Sequence, residues 1–477
     1  MKLNKISLAL SASLVLSSSA YATLKSDKVT LNSNMTLTYT KTPPKVYNLE
    51  NIFKEGIFYG RIRTNLFNWD WDNPTSKTKD NYALGVGGSI IYKSASFKGL
   101  STTFGLYTSQ NPSFYRMDVT DIQYLKAGKD TLSRNDTSKT GKFGMNVLGQ
   151  AYLQYDFLNT SFYLGRQLFE SAFTASNDTK MIPNTFDGLS AISKMFPNTT
   201  LKLAYFTKQK LRDHTSSHDV LAYNPTDPWS GNDDSAVNRN LTVARIGDDN
   251  KLFISEVKNK SIQNLQLNLS YMSVFNVVSN IALETKYKIK AFSWTITPAL
   301  RYMRQMDDLD ASYGVANLKA NQTGYSNPNS LDGSLIAAKL DLQKDALKLR
   351  FGYSKISDDA DIISPWKAAP TGGYTRAMGQ HNWYANTKTY MIQASYDFSK
   401  AKLINGLSIS TRYAMQDFDD TKPSVQADSD VFHVDVRQNI GNDLEAKMRF
   451  ARAMGEATAT KSDPSYTEYR VELNYFF

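Results

Sequence analysis

The sequence has no cysteine among its 477 residues, which excludes both a disulfide framework and a cysteine zinc site. It also lacks long apolar runs: the mean hydropathy is −0.43, and no stretch supplies the ~20 apolar residues of a membrane-spanning helix. Histidine is scarce, at four residues. Glycine (25) and proline (14) are present in ordinary numbers, so the chain is neither collagen-like nor of low complexity.

What is abundant is aromatic and basic. There are 28 tyrosines and 24 phenylalanines, and the formal charge is +10. A basic chain invites a nucleic-acid reading. However, the bases follow strand parity, with no basic helical face and no RNA-binding aromatic motif, so no nucleic-acid partner is expected.

Residues 1–22 read as a secretory signal. Lys2 and Lys5 precede the apolar run Ile6 to Leu16, and Ala20-Tyr21-Ala22 supplies an A-x-A cleavage site. Residues 23–54 are rich in Thr, Asn and Lys and are expected to form a periplasmic tail, leaving 55–477 as the main domain.

That domain alternates with period two. In "YRVELNYFF" (469–477), Val471, Leu473, Tyr475 and Phe477 share one face, and Arg470, Glu472, Asn474 and Phe476 the other. The pattern recurs around Leu84–Tyr92, Trp294–Tyr302 and Leu347–Tyr353. Segments of ~10 residues, apolar on one face and often ending in an aromatic residue, match strands that cross a bilayer within aromatic girdles. A charged opposite face would be costly in a dry sandwich core, so water is expected inside. The expected fold is all-β: a transmembrane antiparallel β-barrel. Short links (94–99, 158–160, 197–198, 343–345, 440–443) alternate with long polar ones (110–147, 169–186, 210–250, 306–331, 357–385). A count of seventeen strands would put the termini on opposite sides. A weak strand at "KLFISEVK" (251–258) restores parity, giving about eighteen strands and an aqueous channel. The last strand is expected to close against the first, "GIFYGRIRTNLFNW".

Parity places a row of bases on the wet face: Arg61, Arg63, Arg301, Lys348, Arg350, Arg412, Arg437, Arg449 and Arg470. Lys93, Lys202, Lys208, Lys286, Lys288, Lys339 and Lys447 join them, against Asp156, Glu284, Asp341, Asp397, Asp435, Glu445 and Glu472. An excess of cations in a narrow, low-dielectric passage predicts anion preference, and arginine's planar fork suits carboxylates. The alternative is that these bases pair with the wall acids and stiffen the barrel.

Three segments carry a family resemblance. "LGRQLFESAFTASNDTKMIPNTFDGLS" (164–190) resembles the fifth strand and third outer loop of OprD-type outer-membrane porins. "SPWKAAPTGGYTRAMGQHNWYANTKTYMIQASYDF" (364–398) resembles their seventh loop and following strand, and "SIIYKSASFKGLSTTFGLYTSQNP" (89–112) echoes the same family. The resemblance runs from about Asn51 to Phe477. It implies that the third and seventh loops fold inward to narrow the channel. The constriction would then include Asn177, Asp178, Lys180, Pro183, Thr185, Trp366, Tyr374 and Arg376. It further implies passive diffusion of small hydrophilic solutes such as carboxylates, amino acids or short peptides, through a monomer or homotrimer in the Gram-negative outer membrane. The expected surroundings are outer-membrane lipid and lipopolysaccharide. The exposed aromatic end resembles the assembly signal of such barrels.

No catalytic, cofactor-binding or metal-binding residue is assigned. The acidic runs Asp307–Asp310, Asp358–Asp361 and Asp417–Asp420 are either solvated loop tips or holders of divalent cations against lipopolysaccharide. The rival classes are a barrel hydrolase, for which His433 and Asp435 are the candidate pair, and a structural or adhesive barrel without conductance. His214 and His218 in "RDHTSSHD" have a spacing that suits zinc only on a helix and are expected to be solvated in a loop.

Overall fold

A strand whose alternate residues are apolar needs lipid or a core on one side only, and eighteen such strands build this molecule. The structure, a computed structural model, describes residues 29–477; the expected signal segment, 1–22, lies outside them. The first six strands are β1 (Ile57–Trp71), β2 (Asn81–Lys93), β3 (Leu100–Gln110), β4 (Gly144–Phe157), β5 (Thr160–Gln167) and β6 (Thr185–Ser193). They are followed by β7 (Thr199–Lys210), β8 (Leu252–Asn259), β9 (Leu265–Val274), β10 (Val278–Tyr287), β11 (Trp294–Asp307) and β12 (Gly333–Lys344). The last six are β13 (Leu347–Ile356), β14 (Lys388–Asp397), β15 (Leu407–Asp417), β16 (Ser429–Ile440), β17 (Leu444–Gly455) and β18 (Tyr466–Phe476).

Neighbours in sequence pair antiparallel around a closed barrel. The weak segment at 251–258 does form a strand, β8. Closure comes from β18 against β1, in register from Tyr466↔Trp71 to Phe476↔Arg61, so neither strand keeps an open edge. No helix among the described residues is long and apolar enough to cross a membrane.

The faces sort as the alternation requires. In β1, Arg61, Arg63, Asn65, Phe67 and Trp69 are buried toward the axis, while Ile62 is exposed on the outside. Leu106, Leu164, Leu203, Leu269, Ile336, Phe351 and Ile392 continue the exposed apolar band. Lys208 departs from the expected parity. A register shift between Asp187 and Gly188 leaves Lys208 exposed and turns Gln209 and Lys210 into the interior.

The long loops gather at one end and fold inward. Val220, Leu221, Val237, Leu318, Ile362 and Trp366 form one buried cluster with the inward-facing Phe206, Ile254, Met272, Met303, Leu335 and Ile356. The loop acids serve this packing. Asp361 is buried, Asp307 accepts the Leu309 and Leu331 amides, and Lys422 pairs with Asp358 and Asp419. Asp307, Asp361 and Asp419 are therefore built into loop structure, whereas Asp308, Asp310, Asp358, Asp359 and Asp417 stay exposed.

The N-terminal segment differs from the expected periplasmic tail. Val29–Leu31 and Leu37–Tyr39 form a hairpin whose apolar residues pack on inward-facing Tyr59, Ile91, Tyr107 and Phe476. The chain then leaves the lumen at the short-turn end. There Lys45–Val46 pairs parallel with Ser96–Phe97, and a short helix, α1 (Glu50–Lys54), leads into β1. The physical reason is alternation: Val29, Leu31, Leu37 and Tyr39 form an apolar face that water would not accommodate.

Candidate functional site

The loop between β5 and β6, residues 168–184, lies across the lumen and is held to the wall by charge. Arg61 Nη2 sits 2.5 Å from Asp178 Oδ2, and Arg63 Nη1 is 2.9 Å from Asp178 Oδ1. The other fork of Arg63 engages Glu472. All four residues are buried. In so dry a site each charge needs its partner, because an uncompensated buried ion costs several kcal/mol. Nearby, Asn65 Nδ2 donates to Lys180 O at 3.1 Å, and Lys180 donates to Ala127 O while lying 4.3 Å from the centre of the Phe67 ring. Gly85 permits the approach: a Cβ there would come 2.8 Å from Met181 Cγ.

The loop between β13 and β14, residues 357–387, meets the first one in the lumen. Ala175 N donates to Trp366 O at 2.9 Å, and Asn177 Nδ2 donates to Lys367 O at 3.1 Å. Asn177 adopts a left-handed backbone (φ 50°) that an asparagine tolerates. Trp366 donates Nε1–H to Val220 O at 2.9 Å. Tyr374 donates its hydroxyl to Glu284 Oε2 at 3.1 Å and is flanked by Arg301 and Lys339.

The eight expected constriction residues lie on or beside the two inward-folded loops, in different surroundings. Asp178, Lys180, Pro183, Thr185, Trp366 and Tyr374 are buried and act as anchors, which corrects their expected placement on the pore surface. Asn177 and Arg376 keep partial exposure. Arg376 stands apart. Among the described residues no carboxylate lies within 4.0 Å of its guanidinium, and its neighbours are Arg212, Arg470 and Arg412. Burial, then those three guanidiniums, push its pKa down to about 10, so it remains cationic at neutral pH. Arg412 Nη1 donates to Arg376 O at 3.2 Å. Arg212, which reaches this region from the loop after β7 and pairs with Asp130 at 2.8 Å, was not anticipated. No strand parity governs a loop residue.

The row of bases is a row of ion pairs. Arg61 and Arg63 face the axis as expected but are sealed from water, at 1% exposure each, which corrects their expected role as pore lining. Further round, one acid serves two bases at a time. Glu284 pairs with Arg301 (2.7 Å) and Lys286 (2.6 Å), Asp341 with Arg350 (2.5 Å) and Lys348 (3.3 Å), and Asp435 with Arg449 (2.9 Å) and Arg412 (3.6 Å). Arg437 pairs with Glu445 at 3.2 Å, and Arg470 with Glu468. The base is often the partner nearer water: Arg437 is 40% exposed against 2% for Glu445, and Lys348 39% against 13% for Asp341.

His433 Nε2 lies 3.2 Å from Asp435 Oδ2, but Asp435 is already engaged by Arg449 and Arg412. His214 and His218 are buried, not solvated, with ring centres 4.7 Å apart. Asp213, His214 and Asp233 offer ligand atoms within 4.8 Å of one another. Arg134, however, pairs with both carboxylates, at 2.8 and 3.3 Å, and so holds the place a metal ion would take.

Similar barrels are known. Acinetobacter baumannii OccAB3 superposes with a TM-score of 0.69 at 15% identity, over 89% of this chain and 99% of that one. Pseudomonas aeruginosa OccK9 (OpdG) gives 0.69 at 16% identity, over 90% and 99%. P. aeruginosa OpdK, solved with vanillate, gives 0.67 at 14% identity, over 89% and 99%. No curated protein matches the chain by sequence. At these identities the structures speak to fold alone; the family is shown by the sequence model described as "outer membrane porin, OprD family", which matches residues 125–477 of the 477. The chain therefore belongs to the OprD family of outer membrane porins, whose members are channels and not enzymes.

Proposed function

We propose that this porin passes small hydrophilic solutes with a preference for anions, carboxylates in particular. One observation carries the reading: Arg376 stands partly exposed at the pinch between the two lumen loops, has no carboxylate of its own, and is faced by Arg212, Arg412 and Arg470. An anion entering that space meets fixed guanidinium donors in a low-dielectric surround, where a bidentate fork binds carboxylate well. The clusters of two bases to one acid support it, since each leaves net positive charge along the wall. That the similar OpdK barrel was solved with vanillate, a carboxylate, agrees with this chemistry.

The test is the zero-current potential of the purified protein in a planar bilayer under a potassium chloride gradient. Anion selectivity is expected, and Arg376→Ser should move the potential toward zero. Cation selectivity of the unaltered protein would sink the reading.

A further inference from the structure

The lumen holds a second occupant besides the loops. The segment "VTLNSNMTLTY" (29–39) pairs Val29↔Tyr39, Thr30↔Thr38 and Leu31↔Leu37. Val29, Leu31, Leu37 and Tyr39 therefore share one face, and Thr30 and Thr38 the other. The apolar face lies on Tyr59, Ile91, Tyr107 and Phe476 of the barrel wall and on Met181 and Ile182 of the constricting loop. Tyr39 and Tyr59 stand 5.4 Å apart, ring centre to ring centre.

The turn is specific. Met35 N donates to Asn32 O at 2.8 Å, Asn32 Nδ2 donates to Thr36 and Thr38, and Met35 takes a left-handed backbone (φ 67°). Met35 is fully buried, and its carbonyl accepts from Arg61 Nη1 at 2.9 Å. Thus the guanidinium that clamps Asp178 also clamps the hairpin tip. The other face is wet. Thr30, Asn32, Ser33 and Thr38 are exposed, and the hairpin borders a cavity of about 380 Å³ whose far side includes Gln150, Tyr163 and Glu170. A second cavity of about 200 Å³, lined by Lys202, Glu256, Glu284 and Arg301, also reaches Glu170.

We propose that this hairpin is a resident wall of the channel that determines its specificity. It covers the Arg61–Arg63 side with neutral hydroxyl and amide groups and leaves solutes a path along β5 to β11. The inference rests on the porin reading and adds to it an element lying before residue 125, where the family match begins. Two features set it apart from a tail that merely rests in the mouth. The hairpin seats its apolar face on the wall, with Val29 and Leu37 buried and Leu31 and Tyr39 partly so, and its tip is hydrogen-bonded to a residue of the constriction clamp.

Planar-bilayer recordings test this with two variants. The first deletes residues 29–42. A ribbon with its side chains is ~10 Å thick, so removing it should raise single-channel conductance roughly twofold or more. The zero-current potential should move little, because Arg61 and Arg63 are balanced by Asp178 and Glu472, so the change is one of aperture. The second is Ser33→Cys, whose thiol is unique in a chain without cysteine. A bulky, charged thiol reagent should lower its current by about half. A deletion variant that folds as a barrel yet conducts unchanged overturns the proposal. So does an S33C variant that is fully labelled with its current unaltered, and that variant decides the matter should the deletion not fold. Cation selectivity in the unaltered chain, with the conductance rise intact, would instead remove only the anionic reading.

Discussion

At the scale of single residues, the lumen is governed by who neutralises whom. Arg63 binds one carboxylate in the loop and one in β18, so it staples the lumen loop to the barrel wall. Arg63→Ala would leave Glu472 buried with its direct partner gone, at a cost of about 3–5 kcal/mol. We expect a lower urea midpoint for the folded barrel and noisier single-channel current, with Arg63→Ala/Glu472→Gln recovering part of the loss. A midpoint unchanged by the single substitution would contradict the staple. Parity put Arg63 inside from the sequence alone. It could not reveal the partner, because Asp178 lies 115 residues away in the chain and in a loop, where period-two reasoning has no purchase.

At the scale of elements, strands were legible and loops were not. Each strand carries its own face assignment, and even the weak β8 was recoverable from closure parity. The hairpin is instructive. "VTLNSNMTLTY" alternates and has an Asn-Ser-Asn turn, both ordinary hairpin signals, yet its Thr/Asn composition reads as tail. What decides its place is the apolar seat waiting on the wall, which no local pattern reveals. The loops, by contrast, are defined by long-range contacts such as those of Asp361. That buried carboxylate accepts Leu318 N and Ala385 N at 2.8 Å and the Tyr325 hydroxyl at 2.7 Å, and burial pushes its pKa from 3.8 up to about 6. Between those values the folded loops hold a proton that the unfolded chain has lost, so loop stability falls as pH rises through that window and levels off above it. Protease nicking of the 308–332 and 357–387 loops should accordingly be slower at about pH 5 than at about pH 7. Asp361→Asn should abolish the difference.

At the scale of the whole molecule, charge is graded: in pairs such as Arg437–Glu445 and Lys348–Asp341 the base stands nearer water than the acid, and the pinch carries guanidiniums from the loops after β7 and β13 and from β15 and β18. Their field reaches solutes only over the screening length, ~8 Å at 0.15 M salt and ~3 Å at 1 M. Anion selectivity should therefore weaken between those salt concentrations under a fixed gradient ratio. Selectivity that did not change would point to size exclusion instead. The barrel's closure has a consequence of its own. Phe476 belongs to the final strand, whereas Tyr59 and Ile91 belong to the first two, so the hairpin's resting place is assembled from both extremities of the sheet. Until the seam zips shut the Phe476 side of that seat is missing, so the ribbon's full contact with the wall is complete only once the cylinder is closed.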